Sequence, residues 1–131
     1  MSVELQMLGW SILLGVVYVL LAVTLATRQR GLSWNAGNRT GEAALTGAAD
    51  RAGRASRNFL ETFPFFAAAV LAVLVGQCAN TTTALGAQLY FWARVVYLPV
   101  YVVGIPYLRT LVWVVSLAGL LMVLSGVFCS H

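Results

Sequence analysis

An all-α membrane protein, a bundle of four spanning helices in one domain over residues 1–131, is the fold class this sequence predicts. Three observations predict it. Of the 131 residues, 60% are hydrophobic and 9% charged, which sets the chain apart from soluble domains of its size. Four apolar stretches follow one another along the chain. Between them lie one polar connection of some length and two short links, too little irregular chain for anything but antiparallel helices side by side.

The first stretch, 3–27, carries only Glu4 and Gln6 near its start and exceeds the roughly 20 apolar residues a helix needs to cross a bilayer core. Its basic residues follow the apolar run instead of preceding it, so it reads as a retained anchor and not a cleaved signal peptide. The segment RQRGLSWNAGNRTGE, 28–42, is rich in Gly, Asn, Ser and Arg and is expected to be an exposed loop. The remaining apolar stretches are 59–76, 84–103 and 108–128, linked by QCANTTT and GIPYLR. With their polar leads included, the helices are expected at about 3–27, 47–77, 82–103 and 107–129. Gly9, Gly15, Gly119 and Gly126 are candidates for close helix packing.

All eight basic residues are arginines and the net charge is +4. Arg28, Arg30 and Arg39 fall in the first connection, Arg51, Arg54 and Arg57 at the start of the second helix, and Arg109 in the third connection. Four spans place all of these on one side, so the positive-inside bias puts both termini in the non-cytoplasmic compartment. A bacterial inner membrane is the expected location. The arginine bias has two readings, a forked recognition chemistry for carboxylates or a coding bias with no chemical meaning.

The second helix opens on DRAGRASRNFLETFPFF. Arg54, Arg57, Asn58 and Glu61 stand at i, i+3, i+4 and i+7 and so share one face. Asp50 with Arg54 and Arg57 with Glu61 are each acid and base four apart, which offers neutralisation within the helix. Ionisable groups in a membrane span are costly and face a bundle interior or a wet cavity. The stripe therefore reads as a site, against the plainer reading of solvated first turns, which is preferred for Arg51 alone. Pro64, one turn on, removes a helix hydrogen bond and is expected to kink the helix. In the third stretch Arg94, Tyr97 and Tyr101 again share a face. An unpaired arginine at that depth costs about 2.5–3.5 kcal/mol on insertion scales, so it needs a partner. Glu61 is the one acid at comparable depth, and an Arg94–Glu61 ion pair is the expected use of Arg94 ahead of a direct catalytic role. Arg109 reads equally as an interfacial anchor.

Cys78 and Cys129 are far apart in sequence and read as small apolar fillers, with no disulfide framework and no metal spacing. His131, the lone histidine, is terminal and a poor catalytic base. No phosphate loop, zinc spacing or nucleic-acid motif occurs, and scattered arginines in so apolar a chain do not point to nucleic acid.

The pattern R-x-x-R-N-x-x-E-x-x-P-F, filled by Arg54, Arg57, Asn58, Glu61, Pro64 and Phe65, is followed by A-R-x-x-Y-x-x-x-Y (Ala93, Arg94, Tyr97, Tyr101) and by the turn G-x-P-x-x-R (Gly104, Pro106, Arg109). Together these resemble the MAPEG family, membrane-associated proteins in eicosanoid and glutathione metabolism, over nearly the whole chain. The resemblance implies a homotrimer of four-helix subunits in the lipid bilayer, with glutathione as co-substrate at the subunit interfaces. It implies glutathione contacts at Arg54, Arg57, Asn58, Glu61, Arg94, Tyr97 and Tyr101, with Glu61 on the amino group, and at Arg28 on a carboxylate. It implies that Arg109 stabilises the thiolate, with Thr110 beside it and Trp113 where relatives carry tyrosine. The activity implied is a glutathione-dependent transferase acting on lipophilic electrophiles or hydroperoxides. The alternatives are a non-catalytic lipid- or thiol-binding protein that assists a partner, and the same fold serving another low-molecular-weight thiol. The chemistry fits independently: two carboxylates and one ammonium on glutathione call for several fixed cations and at least one anion, and a cation-rich pocket lowers a thiol pKa.

Overall fold

The computed structural model describes residues 1–31 and 45–129. Most of the polar segment expected as an exposed loop, Arg39 and Glu42 with it, and the terminal His131 lie outside the described residues.

Four α-helices follow in order, α1 (Val3–Arg30), α2 (Gly47–Val75), α3 (Thr81–Val103) and α4 (Pro106–Gly126). Local chemistry sets their ends. Ser2 accepts from the Leu5 amide with its hydroxyl and starts α1. Asn80 and Thr83 form a reciprocal capping box at the head of α3. Gly104 ends α3 in the left-handed conformation, φ 91°, and Pro106 opens α4 at a position where its missing N–H costs nothing. Helix α2 has no side-chain cap bond. Instead the Gln29 amide clasps Thr46, receiving its N–H at 2.8 Å and donating to its carbonyl at 3.1 Å. That clasp joins the end of α1 to the start of α2. Helix α2 continues through Pro64 and α3 through Pro99 without interruption.

The interface between α3 and α4 is the most extensive, followed by that of α1 with α2. Helix α1 also packs on α3, and α2 on both α3 and α4, while α1 and α4 do not pack together. The two therefore occupy opposite corners. The core runs along the central seam as Phe59, Phe66, Val70, Val73, Tyr90 and Val123, all essentially enclosed. Phe66 stacks on Tyr90 with ring centres 4.0 Å apart, and Tyr18 on Phe59 at 4.7 Å. Outside this seam the helices present Trp10, Leu13, Leu20, Leu71, Leu111 and Leu121, all exposed. A polypeptide in water hides such a surface, and a lipid-embedded one needs it. Three helices, α1, α2 and α4, are long and apolar enough to cross a membrane. Helix α3 has the length, at 23 residues, but carries Arg94, Gln88 and three threonines.

Close approach is concentrated where α3 crosses α4. A Cβ on Gly86 would sit 2.7 Å from the Gly119 carbonyl oxygen, and one on Gly119 would sit 2.6 Å from that of Gly86. Gly126 likewise abuts the Thr83 methyl, and Gly15 abuts the Phe59 ring. Gly9 differs from expectation: its Cβ position faces open space.

The cysteines also correct the sequence reading. Cys78 and Cys129 form a disulfide, with Cα atoms 5.9 Å apart across 51 residues of sequence. They are not independent apolar fillers. An even number of antiparallel helices returns the chain end to the side of the second connection, so residues distant in sequence meet there. At the same end the buried Glu4 carboxylate accepts from the Thr83 hydroxyl at 2.7 Å, tying α1 to the head of α3.

Candidate functional site

At the opposite end, where α1 and α3 finish and α2 and α4 begin, the arginines gather. Arg54 holds Asp50 at 3.0 Å, one turn away on α2 and largely exposed, as the spacing predicts. The second expected pair is not formed: no acid lies within 4.0 Å of Arg57 among the described residues, and both Arg57 and Glu61 are exposed. Arg51 is not simply solvated either. Its Nε donates to the Val102 carbonyl at 2.7 Å, capping the last turn of α3 with a cation where the helix dipole is negative. Arg28 is exposed at the end of α1.

Among the described residues Arg94 is the largest fully buried side chain, and it corrects the expected ion pair with Glu61. Its Nη1 donates to Asn58 Oδ1 at 2.8 Å and its Nη2 to Thr62 Oγ1 at 3.0 Å. Glu61 points away because residues 58 and 62 sit on the α3-facing flank of the stripe, while 61 is rotated outward by one helical step. Thr62 Oγ1 also lies within hydrogen-bond reach of the Phe59 carbonyl and of the Tyr90 hydroxyl, 3.1 Å away. Tyr18 on α1 reaches the Arg94 carbonyl at 2.6 Å. One residue thus joins three helices.

From Arg94 a ladder of cations and rings runs outward. Its guanidinium lies 4.8 Å from the Tyr97 ring centre, Tyr97 meets Tyr101 edge-on at 5.5 Å, and the Arg109 guanidinium lies 4.8 Å from the Tyr101 ring. Each such cation–ring contact is worth about 0.5–2 kcal/mol, depending on desolvation. Beside the ladder lies a polar cavity of about 120 Å³ lined by Asn58, Tyr97, Arg109, Thr110 and Trp113. No acid lines it. Arg109 stands in the first turn of α4, where the helix dipole is already positive, so a cation there is unfavourable for the helix and favourable for an anion in the cavity. Thr110 turns its hydroxyl onto the Pro106 carbonyl of its own helix.

The structure therefore brings Asn58, Tyr97 and Arg109 around one cavity, with Tyr101 and Arg94 directly behind them. It leaves Arg54, Arg57 and Glu61 on the same helix face but outside the cavity, and Arg28 apart from it. Thr62, Tyr18 and Tyr90 were not anticipated. For Thr62 the signal was present, since it continues the stripe four residues beyond Asn58. A separate apolar groove of about 310 Å³ lies between α1 and α2, lined by residues including Ile12, Gly15, Phe59 and Phe63. Among the described residues no cluster of His, Cys, Asp and Glu suits a metal ion.

Comparison with protein families returns one finding: the model of the MAPEG family matches residues 7–129. The chain belongs to the MAPEG family. The match covers nearly all of the chain and agrees with an all-α membrane bundle whose helices are lined up as above. No curated protein and no solved structure matches the chain. MAPEG membership connects this integral membrane protein with glutathione-related chemistry in a general way.

Proposed function

We propose that this MAPEG protein is a membrane-bound glutathione-dependent transferase that delivers a thiolate to lipophilic electrophiles or hydroperoxides. The observation that carries this reading is the cavity of Asn58, Tyr97, Arg109, Thr110 and Trp113, which contains a guanidinium and a positive helix end and, among the described residues, no carboxylate. Glutathione fits that electrostatics. Arg54 and Arg57 suit its carboxylates, with Arg28 a further candidate, and the exposed Glu61 suits its ammonium. Tyr97 and Tyr101 form a wall, and Arg109 holds the sulfur as an anion. The bound peptide supplies the nucleophilic thiolate, and the neighbouring cations favour that ionised form by direct charge attraction.

The exposed charges also support a homotrimer. Arg57 and Glu61 lie on a helix apolar enough to cross a bilayer, yet in one chain they face outward. Lipid is a poor neighbour for them. A second and third copy would cover the stripe and enclose the peptide between subunits, while leaving apolar surface on α1 and α4 for the electrophile.

The test is conjugation of glutathione to an aryl halide by the purified chain. Wild type is expected to turn over, and Arg109→Ala to lower kcat about a hundredfold, as loss of one charge-stabilising donor does. Turnover unchanged by that substitution removes Arg109 from the role. Tight lipid or thiol binding without turnover favours the non-catalytic reading, and turnover with a different thiol but not glutathione favours the alternative nucleophile.

A further inference from the structure

The Arg94 guanidinium is fully enclosed, yet no carboxylate lies within 4.0 Å of it among the described residues. Its two hydrogen-bond partners are neutral, and its Nε has none. A buried cation without a countercharge is costly, so its position next to a cavity with no acid among its described lining residues calls for an explanation. Asn58 connects the two. A guanidinium has only donors, so the Asn58 atom that meets Arg94 is necessarily the carbonyl oxygen. The amide nitrogen is then turned away from Arg94 on a side chain that lines the cavity. It is neither hydrogen-bonded within the described structure nor among the polar atoms sealed from solvent without a partner. Without Arg94, an asparagine at this place presents either end with little preference.

We propose that Arg94 is a positioning residue: it locks Asn58 with its N–H₂ donors facing the cavity and adds the field of an uncompensated cation behind it. The subsite formed in this way takes an acceptor-bearing group, a carbonyl or carboxylate, and rejects an ammonium. This rests on the glutathione reading and deepens it by giving the peptide a direction. A peptide carbonyl and the sulfur lie toward Asn58 and Arg109, and the carboxylates and ammonium lie along α2 at Arg54, Arg57 and Glu61. Arg94 itself does not line the cavity and acts through Asn58.

Asn58→Asp separates positioning from folding, because aspartate keeps an acceptor for Arg94 while it replaces the outward donor with an acceptor and adds a negative charge that cancels the field of the cation. With full-length protein in lipid nanodiscs and glutathione as the probe, Asn58→Asp is expected to raise Kd and KM about tenfold or more while Tm holds and kcat falls far less. Arg94→Met is expected to raise KM in the same direction, and Arg94→Lys, which retains a cationic donor, to recover part of it. Should Arg94→Met fail to fold, the aspartate variant still decides the matter. Unchanged KM in Asn58→Asp overturns the proposal. So does a loss in Arg94→Met confined to kcat, with KM unmoved and no rescue by lysine, since that is how a smaller folded fraction behaves. A wild-type chain that binds no glutathione at all overturns the functional reading, and this inference with it.

Discussion

Tyr18 shows how little a single polar contact decides in this protein and how much its neighbourhood does. Its ring is fully buried against Phe59, and its hydroxyl donates to the Arg94 carbonyl at 2.6 Å. Hydrogen bonds between membrane helices average about 0.6 kcal/mol and reach about 1.7 kcal/mol, because the separated helices also find partners. Tyr18→Phe keeps the ring and removes only that bond. The expected result is a Tm lower by a few degrees with the fold retained, read by thermal unfolding in detergent; a collapse of the fold would show that the bond carries far more than its class does. Sequence alone made Arg94 legible as a buried cation in need of partners, since its helical face and the insertion cost were both readable. It did not make the partners legible. Glu61 and Thr62 are neighbours in sequence, but a rotation of about 100° between them sends one outward and the other onto Arg94, and only packing between α2 and α3 fixes that angle.

Among the elements, the α3–α4 pair depends on backbone contact more than on side-chain volume. With Gly86 and Gly119 facing each other, either added Cβ would meet a carbonyl oxygen under 3.0 Å, and neither helix can yield without losing the contacts on either side. Overpacking of this kind costs about 1–3 kcal/mol for small additions and more for branched ones. Gly86→Leu is therefore expected to lower Tm well beyond the effect of Tyr18→Phe, whereas Gly9→Leu, on an open α1 face, is expected to leave Tm nearly unchanged. Equal effects from the two leucines would deny the crossing its role. The helices themselves were readable from apolar length and caps, α1 running three residues past its apolar stretch because Arg28, Gln29 and Arg30 continue the turn until Gly31 ends it. The crossing was only half readable: Gly119 stood out within an apolar run, while Gly86, flanked by Leu85 and Ala87, gave no signal until its partner was in place.

On the scale of the molecule, two unrelated chemistries separate to opposite ends. Arg28, Arg30, Arg51, Arg54, Arg57 and Arg109 belong to the end where α1 and α3 finish, and the Cys78–Cys129 disulfide to the other. Arginine near span ends marks the cytoplasmic side, and disulfides persist in compartments that oxidise thiols. Each rule alone implies an orientation, and we propose the one to which both point: arginines and polar cavity toward the cytoplasm, disulfide and both termini toward the oxidising side. The sequence alone does not carry this agreement, because only the fold brings residues 51 positions apart into one bond. The orientation predicts the outcome of a labelling experiment on sealed vesicles. In vesicles with the cytoplasmic face inside, a membrane-impermeant phosphine followed by an impermeant maleimide is expected to label both cysteines, and in inverted vesicles neither. Cysteine introduced by Thr110→Cys, at the arginine end, is expected to label in the opposite pattern. Labelling of Cys78 and Cys129 from the cytoplasmic face would reverse the orientation and place the arginine-lined cavity away from the compartment in which a reduced thiol is abundant.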